Sequence, residues 1–239
     1  MTREDYQDRL ERLRETVIAL GDLVRDQLAD GLSALFAGDR ALAREVIADD
    51  QAVNRRSLEI EGECLDLLAL YQPVAGDLRS VVATFKIVTD LERMGDLATN
   101  LAAYTLASTG SAPTLPDVDF ERIAALALEL VEDAIEAFVT DDADACFAVA
   151  DRDAELDARC EAVTERIVRT LVDLRVDGDA VRAGTAFSDE SDEWPLEAVL
   201  TNVSRTFVIV RDIERVGDHA VNVAARTLYA LESSEELLA

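Results

Sequence analysis

The scarcity of helix-breaking residues is the feature that most constrains how this chain can fold. It has only four prolines in 239 residues, at positions 73, 113, 116 and 195. Between them, apolar residues recur at intervals of three and four among good helix formers, over stretches too long for strands. This pattern predicts an all-α protein. We expect six helices, near residues 4–37, 40–71, 75–108, 117–140, 143–175 and 195–231.

One phrase occurs twice in the chain, as DLERMGDLATNL at residues 90–101 and as DIERVGDHAVNV at residues 212–223. The third and sixth helices are therefore copies, and the second and fifth align in the same way. The offset between copies grows along the chain, which places an insertion in the acidic stretch 176–193. The junction SAPTLPD, residues 111–117, divides the helices three and three. We predict two repeated domains, residues 1–111 and 116–239.

The charge of the chain excludes several partners. Its 50 acidic against 23 basic residues give a net charge of −27, which would repel nucleic-acid phosphates and anionic lipid surfaces. A large acidic excess with a single lysine is typical of a halophilic protein in a salt-rich cytoplasm. The N-terminal sequence has no apolar leader, and no apolar run is long enough to span a membrane. We predict a cytoplasmic location and reduced core thiols at Cys64, Cys146 and Cys160.

The repeated phrase places a row of oxygen-bearing side chains on one helix face. In the sixth helix, an apolar seam from Ile209 to Val223 has 4-3-4-3 spacing and should be buried. At about 100° per residue, Glu214, Asp218 and Asn222 lie roughly opposite that seam. Like charges four residues apart and a central glycine both weaken a helix. A bound cation would offset the repulsion, and the glycine would allow close approach. Glu92, Asp96 and Asn100 repeat the row in the third helix.

Neighbouring helices can supply further oxygen ligands. Asp153 and Asp157 are four residues apart on the fifth helix, and Asp50 and Asn54 are their counterparts on the second. Carboxylate and amide ligands suit hard or borderline ions such as Mg²⁺, Mn²⁺ or iron. Because Asn54 stands where the second half has Asp157, we expect the second half to bind a metal better.

Other interpretations of these acids remain open. Arginines 55, 56, 79, 93 and 215 could pair with the row in ordinary salt bridges. Asp90 and Asp212 have basic residues three or four positions away and are interpreted as helix salt bridges. We predict that His219, the sole histidine, lies on the helix surface. A ferritin-like di-metal protein would need Glu-x-x-His pairs on two helices, which one histidine cannot provide.

The phrases QPVAGDLR (72–79), DLERMGDLATNLA (90–102) and DIERVGDHAVNVA (212–224), on six helices in two repeats, resemble the PhoU family of phosphate-transport regulators. The resemblance implies two tandem antiparallel three-helix bundles, usually in a homodimer, with metal clusters on acidic pairs. On this chain the implied ligands are Glu92, Asp96, Glu214 and Asp218, with Asp50, Asp153 and Asp157 as neighbours. Asn54, Asn100 and Asn222 are possible outer ligands, and the ion would be Mg²⁺, Mn²⁺, iron or Zn²⁺.

The resemblance also implies a function. Proteins of this family restrain a phosphate importer through its cytosolic ATPase subunit and, where present, a membrane sensor kinase. We therefore expect a non-enzymatic negative regulator of phosphate uptake that meets the membrane only through its partners. A metal-free helical scaffold of the same fold, with the acid row as a charged docking strip, is the main alternative.

Overall fold

Six long helices form the protein in the computed structural model, which describes residues 3–107, 120–176 and 196–238. Their bounds are α1 Arg3–Ala37, α2 Arg40–Tyr71, α3 Ala75–Ala107, α4 Phe120–Thr140, α5 Ala143–Val176 and α6 Leu196–Glu232. No strand occurs within these ranges. The all-α prediction is confirmed, and the six expected helices are all present within the described ranges.

Local signals in the sequence explain where α2 begins and ends. Asp39 caps its first turn, because the Asp39 side chain accepts hydrogen bonds from the backbone N–H groups of Ala41 and Leu42. At the other end, Gln72 adopts a left-handed conformation with φ 48° and donates its N–H to the Leu68 carbonyl. Pro73 follows and cannot continue the helix. The predicted start of the fourth helix at residue 117, the domain boundary at residues 111–116 and nearly all of the 176–193 insertion lie outside the described residues.

The helices pack as two three-helix groups that share a contact surface. Helices α1, α2 and α3 pack on one another, and so do α4, α5 and α6. The groups meet where α3 packs against α6 and α1 against α4. The predicted apolar seams of α3 and α6 are buried, from Ile87 to Leu101 and from Ile209 to Val223. One continuous apolar core therefore runs through both halves.

The cysteines belong to this core. Cys64, Cys146 and Cys160 are buried and free, as predicted. Burial raises the pKa of Cys64 and Cys160 to about 12, so both remain protonated thiols at neutral pH.

No helix in the described part of the chain is both long and apolar enough to cross a membrane.

Candidate cation site

Four carboxylates from two helices lie near one another in the second half. Asp153 and Asp157 project from α5, and Glu214 and Asp218 project from α6. Burial and the charges of Asp157 and Asp218 raise the pKa of Glu214, and burial and the charge of Asp218 raise the pKa of Asp157. The four groups, which we call the second-half acid cluster, repel one another and favour a cation among them.

Asp153 is the most perturbed member of this cluster. Its Oδ1 atom is buried and has no hydrogen-bond partner. Burial, followed by repulsion from Asp157, Asp218 and Glu214, raises the pKa of Asp153 to about 7. A buried carboxylate oxygen without a donor is unfavourable unless it is protonated or meets a cation.

The glycine of the repeated phrase makes this arrangement possible. A Cβ atom on Gly217 would lie 2.4 Å from Asp153 Oδ1 and 2.6 Å from Leu156 Cδ2. Any larger residue would therefore displace the carboxylate or the buried leucine. Close approach was predicted at this glycine, and the structure places the candidate ligand Asp153 there.

The first half satisfies the equivalent, half-buried carboxylate differently. Asp50 Oδ2 accepts a 2.7 Å hydrogen bond from the Asn54 side-chain amide, and Asp50 Oδ1 accepts one of 3.1 Å from the Thr99 hydroxyl. Asn54 replaces Asp157, and Thr99 occupies the position that is Val221 in the second half. The first half therefore has two neutral hydrogen-bond donors at the positions of the acidic Asp157 and the apolar Val221.

The remaining acids of the first half still repel each other. Burial and the charges of Asp96 and Asp50 raise the pKa of Glu92, and burial and Asp50 raise that of Asp96. The Cβ of a residue at Gly95 would meet Val53 and Gln27 rather than a carboxylate, at 3.0 and 3.2 Å. Asn100 is exposed beside this row.

Arginine pairing does not account for the acid rows. Within residues 3–107, 120–176 and 196–238, no ion pair joins an arginine to Glu92, Asp96, Asp153, Asp157, Glu214 or Asp218. Arg56 pairs with Glu59, and Arg215 lies 3.7 Å from Asp212. In the same ranges, no three His, Cys, Asp or Glu side chains already converge on one ion position. The clustered carboxylates would have to turn toward each other to share an ion.

The prediction for His219 is wrong. His219 is buried, and its Nδ1 atom lies 3.0 Å from Asp90 Oδ1 on α3. His219 lies beside the α6 seam and was assigned to solvent, but α6 also packs on α3 of the other half, and that contact buries a second face. The counterpart of His219 in the first half is the apolar Leu97, which is buried. An apolar residue at the equivalent position was the available signal that His219 is buried too.

The prediction for Asp90 also needs correction. Asp90 is buried and pairs with His219 and with the Asn222 amide at 3.3 Å, not with Lys86 or Arg93 among the described residues. The Asn222 amide nitrogen donates to Asp90 at the α3–α6 contact, and its role as a possible outer ligand stays a prediction.

Asp212, the α6 counterpart of Asp90, makes a matching contact with α3. It is buried, accepts a 2.7 Å hydrogen bond from the Tyr104 hydroxyl, and retains the predicted proximity to Arg215. Burial and the Asp212 contact raise the pKa of Tyr104 to about 12. Tyr104 and Thr99 were missed by the sequence argument, because their partners lie on other helices.

The fold and the acid rows define a class: an all-helical protein of two repeated bundles, each bearing carboxylates on its α2–α3 or α5–α6 face. A model of the PhoU domain matches the chain twice, at residues 17–105 and 120–227. The chain belongs to the PhoU family.

Similar proteins span nearly the whole chain. A Pseudomonas putida protein named phosphate-specific transport system accessory protein PhoU homolog is 30% identical over 234 residues, covering 97% of this chain and 82% of its own. An Aquifex aeolicus homologue of the same name is 37% identical over 133 residues, 56% of this chain and 60% of its own.

Solved structures agree. The PhoU crystal structure from Pseudomonas aeruginosa matches with a TM-score of 0.81 and 28% identity, covering 96% of this chain and all of that one. The phosphate transport system regulatory protein PhoU from Streptococcus pneumoniae matches at 0.79 and 26%, covering 96% and 98%. The prediction of two tandem three-helix bundles in this family is confirmed.

Proposed function

We propose that this protein restrains phosphate uptake as an accessory regulator of a phosphate-specific transport system. The support is its similarity to proteins so named, which extends over 97% of the chain and both repeats. The ATPase subunit of the importer and a sensor kinase are the proposed partners, and the proposed form is a cytoplasmic homodimer. We propose no catalytic role: the sole histidine is held by Asp90, away from the carboxylates of the second half.

The second-half acid cluster is the proposed cation site. The observation that carries this proposal is the buried Oδ1 atom of Asp153, which has no hydrogen-bond donor and lies among three other carboxylates. The all-oxygen donor set suits Mg²⁺, Mn²⁺ or iron, and Zn²⁺ remains a candidate. Asp153, Asp157, Glu214 and Asp218 would hold the ion.

Such an ion would supply the positive charge that the cluster lacks. Asp153 and Asp157 would then be tied to Glu214 and Asp218, joining α5 to α6 on the outer face. In the first half, Asp50 already has two donors, so Glu92, Asp96 and Asp50 are proposed as the weaker site, with Asn54 and Asn100 at its margin.

Metal analysis tests this site. Purified protein should retain a divalent or iron cation after gel filtration, and the double variant Glu214→Ala plus Asp218→Ala should lose most of it. Asp26→Ala plus Asp30→Ala is the matched control, because these acids on α1 have the same spacing. Equal metal content in all three proteins would favour the metal-free scaffold.

The regulatory role needs a cellular measurement. Deleting the gene should raise phosphate uptake in phosphate-rich medium, and the wild-type protein should restore repression. Unchanged uptake in the deletion strain would contradict the proposed function. Complementation with the Glu214→Ala plus Asp218→Ala variant then shows whether regulation requires the cluster.

A further inference from the structure

Exposed apolar side chains concentrate on the α2–α3 hairpin. Of the eleven large apolar side chains exposed in the described residues, six fall between residues 58 and 82: Leu58, Leu65, Leu70, Val74, Leu78 and Val82. Leu58 is 68% exposed and Leu65 57%. Such a concentration of apolar surface in water is unusual away from an interaction site.

Four of these residues share a face with the first acid row. On α3, Leu78 and Val82 begin a series with 4-3-4-3 spacing that reaches Glu92 and Asp96. These four α3 side chains therefore point to the same side of the helix. On α2, Leu58 and Leu65 lie two turns apart and continue the edge that carries Asp50. We call Leu58, Leu65, Leu78 and Val82 the outer stripe.

The two edges of the outer stripe lie side by side. Thr99 of α3 donates to Asp50 of α2, which shows that these edges of the helices are neighbours. The chain reverses at Gln72, so Leu65 and Val82 lie at similar distances from the turn. The stripe is thus one surface that extends from the turn toward Glu92 and Asp96.

The fold does not require all of this surface to be apolar. The second-half counterpart of Leu58 is Glu161, and that of Val82 is Ser204, both exposed. The same bundle is therefore built with polar residues at these two positions, whereas the counterpart of Leu65 is the exposed Val168. The apolar residues of the first half contribute little to their own core and remain available for a partner.

The charges around the stripe specify the partner. Between residues 58 and 82 the chain has five acids and one base: Glu59, Glu61, Glu63, Asp66, Asp77 and Arg79. A second copy would bring two such acidic rims together, and anionic lipids would be repelled. A helix with apolar residues on one face and basic residues beside them would match both the stripe and its rim.

We propose that the outer stripe is a docking site for a basic amphipathic helix of a partner protein. Its apolar face covers Leu58, Leu65, Leu78 and Val82, and a basic side chain at one end reaches Glu92 and Asp96. This surface lies on the first half, so it can be tested separately from the second-half acid cluster and from the proposed transport role. Chelator-treated protein is used, because Glu92 and Asp96 also belong to the proposed weaker cation site.

The test uses the full chain and a fluorescent synthetic peptide of about five helical turns, with leucines on one face and arginines on the other. Leu65→Ser plus Val82→Ser removes the centre of the stripe without changing charge. Val168→Ser plus Val139→Ser is the matched control, since both residues are exposed in the second half. A peptide of the same composition in scrambled order reports purely electrostatic binding.

Fluorescence anisotropy should show the ordered peptide binding the wild-type protein about tenfold tighter than the scrambled one. The stripe variant should lose about tenfold in affinity, and the control variant less than about twofold. Glu92→Gln plus Asp96→Asn should weaken binding at low salt and flatten its salt dependence.

Four results would overturn the proposal. Two concern the peptide: the wild-type protein does not prefer the ordered peptide, or the stripe and control variants lose equal affinity for it. The other two point to a different occupant: the stripe substitutions dissociate a wild-type dimer, or the stripe binds anionic vesicles more tightly than it binds the peptide. Circular dichroism checks that each variant remains folded.

Discussion

Asp50 and Asp153 occupy equivalent places in the two halves, yet their surroundings differ in kind. Asp50 receives hydrogen bonds from Asn54 and Thr99, whereas Asp153 has a buried oxygen without a donor and three acids nearby. Two side chains make the difference: an amide in place of Asp157 and a hydroxyl in place of Val221. The same repeated phrase can thus support a self-satisfied carboxylate or a site that requires a cation.

Metal affinity should separate the halves most strongly. Asp153→Asn should lower the affinity for Mn²⁺ by about 100-fold, because it removes the most buried charged ligand. Asp50→Asn should change the affinity by less than about threefold, since Asp50 already has its donors. Isothermal titration of chelator-treated protein measures both. Equal losses would show that the two rows bind alike.

The two glycines offer a smaller contrast. Gly217→Ala should destabilise the protein by about 2 kcal/mol, because the new methyl group collides with Asp153 and Leu156. Gly95→Ala should change stability by less than about 1 kcal/mol, as better helix propensity offsets tighter contact with Val53. Urea unfolding at equal protein concentration gives both values. A stable Gly217→Ala protein would mean that Asp153 is free to move aside.

The two contacts between α3 and α6 also differ. His219→Leu should destabilise the protein by about 2 kcal/mol, because buried Asp90 keeps only the Asn222 amide. Tyr104→Phe should cost about 1 kcal/mol, since Asp212 keeps Arg215 nearby. If His219→Leu alone leaves the free energy of unfolding unchanged, the His219–Asp90 pair does not stabilise the α3–α6 contact.

The two halves should also differ in how their stability depends on pH. The pKa of Asp153 is raised in the folded protein, so the unfolded chain releases its proton first as pH rises. The Asp153 carboxyl should therefore lower stability progressively between about pH 4 and pH 7 in metal-free protein. Melting temperatures at pH 5 and pH 8 in chelator should differ less in Asp153→Asn than in the wild type. Identical pH profiles would contradict the raised pKa.

Much of the fold could be predicted because it depends on local patterns. Helix limits follow from prolines, caps and apolar spacing, and five of the six predicted helices begin and end within one residue of the observed ones. The acid row could be placed on an outer face for the same reason. The asymmetry between Asn54 and Asp157 was readable directly from the aligned repeats.

The contacts between halves could not be predicted in this way. A helical wheel shows which residues face a helix's own bundle, but α3 and α6 each bury a second face against the other. His219, Asp90 and Tyr104 were misassigned or missed for that reason. Thr99 was missed because its hydroxyl acts on a residue of α2, 49 positions earlier.

The α3–α6 contact connects the helix segments that carry the two acid rows. His219 directly follows Asp218 on α6, and Asp90 stands two residues before Glu92 on α3. His219 and Asp90 touch, and the Asn222 and Tyr104 side chains add further buried polar contacts between the same two helices. The position of each acid row is therefore tied to the packing between the halves.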